Sequence, residues 1–388
     1  MKLAPAASVT PSRIRVIASL ADQHPGTARL FVGEDTRPTP DFIKEAAKRA
    51  IDSNKTYYTP NAGYPEFRRV VADHLSMLHG VTVDPDRQVI ATASGMNAIV
   101  LTCQATVGAG DSALVLSPLW PNTAAAIRVT GAEPIEVPFL EDDQGFQLDW
   151  DRLEGAVRSN TKLLALASPS NPTGWTASHE DWKRLVEFAE RHRLWLLADA
   201  VYERIVFAGR VAPGPLAVPG AMERTFLAQS FSKAYRMTGW RIGYVVAPPA
   251  LGPTLAYLQE FAVSHAAGIQ QEAARVAMLE GEDFLFQGQA RYSLHRRLAV
   301  DRLRRINGLK LVVPYGAFYV FPRLDGLTDS MDFCEYLVRE WRLGVAPGVA
   351  FGEGGEGHVR ICFAVDEHLL MKALDVFEAG WESYRAKL

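Results

Sequence analysis

An α/β fold, with a mostly parallel sheet covered by helices, is the architecture this chain predicts. Three observations point there. Short apolar runs at 89–91, 112–116, 163–167, 194–198, 225–228 and 242–246 read as buried strands. Longer helical patterns lie between them, as at 98–107, 179–192 and 253–280. The strand runs show little period-2 alternation, as expected of strands buried on both faces.

Taken in order, the first five runs end at turns that carry candidate residues. The run 89–91 leads into Ser94-Gly95-Met96-Asn97, just before the helical pattern 98–107. The run 112–116 leads into Ser117-Pro118-Leu119-Trp120, and 163–167 into Asn171-Pro172-Thr173-Gly174. The run 194–198 closes on Asp199, and 225–228 precedes Ser230-Phe231-Ser232-Lys233. In open sheets of this kind, sites form at the carboxyl ends of strands. The last part of the chain differs. A basic helical stretch at 291–305 is followed by strand-like pieces at 309–313, 318–321 and 358–363. A closing amphipathic helix carries Leu369, Leu370, Ala373, Val376, Phe377 and Trp381 on one face. This predicts a smaller α+β unit. The first forty or so residues have no strand–helix rhythm and are expected to pack on it.

A length of 388 residues suits two domains, at about 100–200 residues each. Net charge is −3 with both signs dispersed, so neither nucleic acid nor a membrane surface is an expected partner. Cys103, Cys334 and Cys362 are far apart, as reduced thiols in a cytoplasmic protein would be, and they form no metal or disulfide motif. The leading Met1-Lys2-Leu3-Ala4-Pro5-Ala6-Ala7 lacks the apolar core of a signal peptide. No run approaches the roughly 18 apolar residues of a membrane span. A soluble cytoplasmic globule is the expectation.

Lys233 is the centre of the chemical argument. It sits just past a buried run, beside Ser230 and Ser232, with Arg241 eight positions later. A lysine that forms a Schiff base with a phosphorylated aldehyde needs hydroxyls and an arginine fork for the phosphate. Asp199 ends an apolar run, where an unpaired carboxylate is expensive. It is either a cap or ion-pair partner, or the counter-ion of a cationic ring; Tyr202 lies three residues on. Ser94-Gly95-Met96 is either an ordinary N-cap or an anion cradle at a helix start. Arg360 lies in an apolar strand pattern and needs a partner, protein or ligand. The glycines at 352–357 fit G-x-G-x-x-G, but a strand follows instead of a helix, and two glutamates would repel a pyrophosphate.

This ordered set resembles the class I/II aminotransferases of fold type I, the aspartate aminotransferase-like family. The likeness runs from Arg13 to Arg360 and on into the last helix. It rests on Tyr58 in Thr56-Tyr57-Tyr58-Thr59-Pro60-Asn61-Ala62-Gly63-Tyr64, on 94–96, on 171–174, on Asp199 with Tyr202, on Lys233 with Arg241, on 314–319 and on Arg360. The resemblance implies a large cofactor-binding domain, 45–285, with a mainly parallel seven-stranded sheet. It implies a small domain from both termini, 1–44 and 286–388, and a homodimer with shared active sites.

The cofactor it implies is pyridoxal 5'-phosphate, joined to Lys233 as a Schiff base. Asp199 would pair with the pyridine nitrogen, and Asn171 and Tyr202 would reach the phenolic oxygen. Ser94, Gly95, Met96, Ser230, Ser232 and Arg241 would surround the phosphate, with Tyr58 arriving from the neighbouring subunit; Tyr57 is adjacent. Trp120 would stack on the ring or line the substrate pocket. Arg360 would bind the substrate α-carboxylate, with Gly33 near it. The implied reaction moves an amino group from an L-amino acid to a 2-oxo acid by a ping-pong route. A lyase or oxidase on the same scaffold is the alternative, and a non-catalytic regulator would need a DNA-binding module that 1–40 is too short and too little basic to supply. The loop 262–270 is small and mostly neutral, with His265 its one ionisable group. Trp120 and its neighbours favour a neutral or aromatic substrate, with aspartate or glutamate also open; the sequence assigns no second cation for a dicarboxylate.

Overall fold

The computed structural model describes residues 11–142 and 145–388, so the leading stretch 1–7 lies outside the described residues. Seven strands form the central sheet. Their spatial order is Val89–Thr92, Gly243–Val246, Thr225–Ser230, Trp195–Asp199, Thr161–Ala167, Ser112–Ser117 and Glu133–Pro138. Neighbours are parallel, except that Gly243–Val246 runs antiparallel to both of its own. Along the central strands, Leu114, Leu116, Leu164, Leu166 and Leu196 enter one apolar cluster. Ala113, Val115, Leu163, Ala165 and Leu197 enter another. Successive side chains thus point to opposite faces, and both faces are dry, which is why these runs carry no alternation.

The seventh strand, Glu133–Pro138, was not among the runs read from the sequence. It lies at the sheet edge, half-exposed, and its Glu-Pro-Ile-Glu-Val-Pro pattern looks like loop. Prolines are tolerated there because an edge strand leaves some N–H positions unpaired. The stretch 253–280 is not one helix. It forms Gly252–Val263 and Gly268–Glu280, parted by a turn in which Ser264 has a φ of 64°. The basic stretch 291–305 belongs to a longer helix, Glu282–Leu303, so a division at 285/286 falls inside a continuous element.

Beyond that helix the strands are short. Leu309–Lys310 pairs with Arg323–Leu324, and Val359–Cys362 pairs with both Tyr319–Val320 and Ala346–Pro347. The closing helix, Glu367–Arg385, buries Leu370, Ala373, Leu374, Phe377 and Trp381. The N-terminal part does have elements. Ser12 caps a helix, Arg13–Asp22, which buries Ile17 and Ala21 and packs on the helix Ser330–Trp341. Ala28–Arg29 then pairs with Leu343–Gly344. The three cysteines are buried and unpaired. Among the described residues no helix is long and apolar enough to cross a membrane.

Candidate active site

The carboxyl ends of the parallel strands open into a cleft of about 490 Å³. It is lined by Gly33, Gly95, Met96, Trp120, Asn171, Asp199, Tyr202, Ser230, Ser232, Lys233, Arg241 and Arg360, all singled out from the sequence. A larger open groove of about 990 Å³ adjoins it and shares Ser12, Met96, Trp120 and Asn122. The smaller cleft is the chemical one, because it holds an amine and a carboxylate largely withdrawn from water.

Lys233 follows the strand Thr225–Ser230, and its Nζ donates to the Gly33 carbonyl at 2.6 Å. Burial pushes its amine down to about 8; Arg360 acts in the same direction, while Cys362, Glu34 and Asp199 oppose. Asp199 ends its strand and is buried, with the Val201 N–H donating to Oδ1 at 3.2 Å. Burial raises its carboxyl to about 6, against that hydrogen bond and Lys233. One weak backbone donor leaves a buried carboxylate with spare acceptor capacity.

The second corner of the cleft collects anion-binding groups. The helix Gly95–Thr106 starts there, with Ser94 Oγ accepting from the Asn97 N–H at 3.1 Å. Gly95 and Met96 carry two of the donors that a helix start leaves without intrahelical partners. Ser230 Oγ accepts from the Ser232 N–H at 3.1 Å. Gly243–Val246 runs antiparallel, so its beginning lies beside the end of the strand holding Ser230, and Gly243 pairs with both Ser230 and Thr92. That reversal brings Arg241 to the corner, where it donates to Thr238 O at 2.7 Å and Ser232 Oγ at 3.4 Å. Gly243 permits this closeness: a Cβ there would lie 2.5 Å from Gln229 O and 2.7 Å from Gly95 N.

The third corner is built by the short strands. Arg360 is buried and donates to Asn171 Oδ1 at 2.7 Å and to Phe31 O at 2.5 Å, while its Nε has no partner. Its guanidinium lies 4.4 Å over the Tyr319 ring. The hydroxyls of Tyr202 and Tyr319 are 2.7 Å apart. Burial holds both phenols above their ordinary range, so both keep their protons.

Tyr58 is the outlier. It is 90% exposed, away from the cleft, with its ring against His265 at 5.6 Å. Sequence reasoning gave no site role to Glu34, Thr238, Arg15 or Tyr319, although Tyr319 closes the segment 314–319 on which the resemblance rests. Thr238 donates to Glu34 Oε2 at 2.9 Å, and Thr39 donates to Arg236 O at 2.6 Å, so the strap from Gly33 to Thr39 is stitched to the Lys233 loop. Glu34 was legible as the charge beside Gly33, and Tyr319 as a polar tip in an apolar strand. Arg15 reaches the cleft only because the helix Arg13–Asp22 packs at its mouth.

Residues 29–377 match the family model described as aminotransferase class I and II. The aromatic-amino-acid aminotransferase 2 of Thermococcus litoralis is 35% identical, over 95% of each chain. The aspartate aminotransferase of Pyrococcus horikoshii is 34% identical, over 96% of this chain and 95% of that one. A solved aspartate aminotransferase of Thermus thermophilus, a single mutant, superposes with a TM-score of 0.90 at 32% identity, over 98% of this chain and 100% of that one. Its fold is the same seven-stranded α/β architecture, and its family uses pyridoxal phosphate. With an amine, a buried carboxylate and an arginine converging on one cleft, this chain is an aminotransferase that belongs to the class I and II aminotransferase family.

Proposed function

We propose that the cleft holds pyridoxal 5'-phosphate and passes the amino group of an L-amino acid to a 2-oxo acid in two half-reactions. One observation carries this reading: a withdrawn lysine and an under-satisfied buried carboxylate face the same cleft. The residues fit the cofactor. Asp199 offers an anion for the ring nitrogen. Ser94, Gly95, Met96, Ser230, Ser232 and Arg241 would offer donors for the phosphate, Asn171 and Tyr202 would reach the phenolic oxygen, and Trp120 would cover the ring. The orphaned Nε of Arg360 is a donor that a substrate carboxylate would satisfy.

When bound, the cofactor supplies an aldehyde that condenses with amines and a ring that withdraws electrons from the α-carbon. The protein does the rest. Arg360 holds the substrate carboxylate and so fixes the α-carbon within reach of Lys233. The Lys233 amine takes the α-proton on Nζ and returns it a short distance away, an acid–base task suited to a pKa near the working pH. Asp199 would stay ionised against a cationic ring, and Tyr202 and Asn171 would donate to the oxygen that carries negative charge.

We assign cofactor binding to a unit spanning 45–285, and the remainder, 1–44 and 286–388, to a smaller one. A homodimer completes the site in this reading, with Tyr58 of the partner subunit at the phosphate. Tyr57, Tyr257 and Phe261 are exposed, and the loop of Tyr58 is tied to the helix Gly252–Val263, which carries the last two, by Asn61 donating to Glu260 at 2.8 Å. Ile14, Ala18, Val32, Ile99 and Trp120 make an apolar wall suited to aromatic donors. Arg15, exposed at the mouth, offers a second cation, so aspartate and glutamate stand beside them. Reconstitution tests the reading: apoprotein with pyridoxal 5'-phosphate is expected to give a visible imine band that Lys233→Ala lacks. An identical band in both proteins would end the assignment.

A further inference from the structure

We propose that Tyr319 is a positioning residue for the transamination site, acting on Tyr202 and Arg360 together. The inference rests on the reading that those two residues serve cofactor and substrate, and it adds a residue at the cleft wall that acts through them.

The geometry begins in the strand pair. Tyr319 lies opposite Cys362, and Arg360 is two residues from Cys362, so all three side chains leave the same face of the sheet, toward the cleft. Tyr319 is fully buried, and its hydroxyl has one hydrogen-bond partner among the described residues, the Tyr202 hydroxyl at 2.7 Å. Each phenol brings a single proton to that contact. If Tyr202 donated to Tyr319, its proton would be spent inside the pair. For Tyr202 to donate into the cleft, Tyr319 must donate to the Tyr202 oxygen. Tyr319 has no other acceptor among the described residues, so once the cleft offers Tyr202 an acceptor, the arrangement that uses both protons has Tyr319 donating to Tyr202 and Tyr202 donating outward.

The ring does a second task. The Arg360 guanidinium lies 4.4 Å from its centroid, with Phe351 at 5.0 Å from the same cation. The two rings fix the plane of a guanidinium whose Nε is unpaired. Gly33 confirms how tightly Tyr319 is placed: a Cβ on Gly33 would lie 2.3 Å from the Tyr319 hydroxyl. The glycine is needed for that hydroxyl, a different reason from nearness to the substrate carboxylate. The charged and titratable groups facing the pair are Asp199, Glu34, Arg360 and Cys362, and a Tyr319→Phe change leaves all of them in place.

The test is a set of variants of the holoenzyme: Tyr319→Phe, Tyr202→Phe, the double variant and Tyr319→Leu. The first readout is the pH midpoint of the bound cofactor's visible absorption; the second is the separate kcat and KM for the amino acid. Tyr319→Phe is expected to raise the midpoint, because a loosened Tyr202 stabilises the cofactor's oxyanion less, and to lower kcat about tenfold with KM within about twofold. Adding Tyr319→Phe to Tyr202→Phe is expected to shift the midpoint no further, because the effect runs through Tyr202. Tyr319→Leu, which also removes the ring, is expected to raise KM about tenfold. A Tyr319→Phe midpoint and kcat equal to wild type, with Tyr202→Phe shifted, would overturn the proposal alone. A Tyr202→Phe midpoint equal to wild type would instead overturn the placement of Tyr202 at the cofactor. Thermal unfolding of each apoprotein identifies a variant that merely fails to fold. Should Tyr319→Leu be one, Tyr319→Phe and the double variant still decide the question.

Discussion

Lys233 Nζ donates a 2.6 Å hydrogen bond to the carbonyl oxygen of Gly33, across 200 residues of chain. The contact joins the loop after a central strand to the strap that follows the N-terminal helix. The same glycine leaves room for the Tyr319 hydroxyl. One residue without a side chain therefore meets the lysine through its backbone and the tyrosine through its missing Cβ.

Gly33→Ala is expected to destabilise the protein by about 1–3 kcal/mol, the usual range for overpacking a filled site. Adding Tyr319→Phe removes the atom that the new methyl meets, so the double variant should recover part of the loss. Urea unfolding of both variants measures this. A double variant less stable than Gly33→Ala would show that the overlap is relieved elsewhere.

The apoprotein should show the Asp199 shift in its stability. The carboxyl is raised from 3.8 to about 6, so between those values the folded protein holds a proton that the unfolded chain has released. Stability therefore falls as pH rises through that window, by about 3 kcal/mol in full. Asp199→Asn should remove that slope. Equal slopes in both proteins from pH 4 to 6 would mean that the carboxyl is not held in this way.

Lys233 reacts as the free amine, and its value of about 8 lies well below the ordinary 10.5. The rate at which apoprotein takes up pyridoxal 5'-phosphate covalently should climb with pH and level off above about 8. A rate still rising steeply at pH 10 would indicate an ordinary, solvated lysine.

Arg15→Ala should raise KM for aspartate about tenfold and leave KM for phenylalanine within about twofold. The comparison is internal, so a general folding defect would move both. Equal changes for the two amino acids would remove Arg15 from substrate recognition.

Most of the sheet was legible because strands buried on both faces give unbroken apolar runs, as at 163–167 and 225–228. Glu133–Pro138 was not, because an edge strand half in water reads like a loop. The break between Gly252–Val263 and Gly268–Glu280 was legible only as the loop 262–270 that the resemblance implies, since Ser264, His265, Ala266 and Ala267 include neither Pro nor Gly and the spacing 253–280 reads as continuous helix. In the site, Lys233, Asp199 and Arg360 stood out as charges placed against apolar strands. Tyr319 and Arg15 did not, because their meaning depends on packing between distant elements. Only the fold reveals that a phenol at 319 meets one at 202, or that a helix beginning at 13 lines the cleft.

The most direct measurement is a visible-absorption titration of the cofactor-loaded protein with single amino acids, with no 2-oxo acid present, in wild type and in Lys233→Ala. Wild type is expected to convert to the amine form of the cofactor and release one equivalent of 2-oxo acid. Lys233→Ala should do so more than about a thousandfold more slowly. Conversion at a comparable rate in Lys233→Ala, or release of ammonia in place of the amine form, would contradict the account.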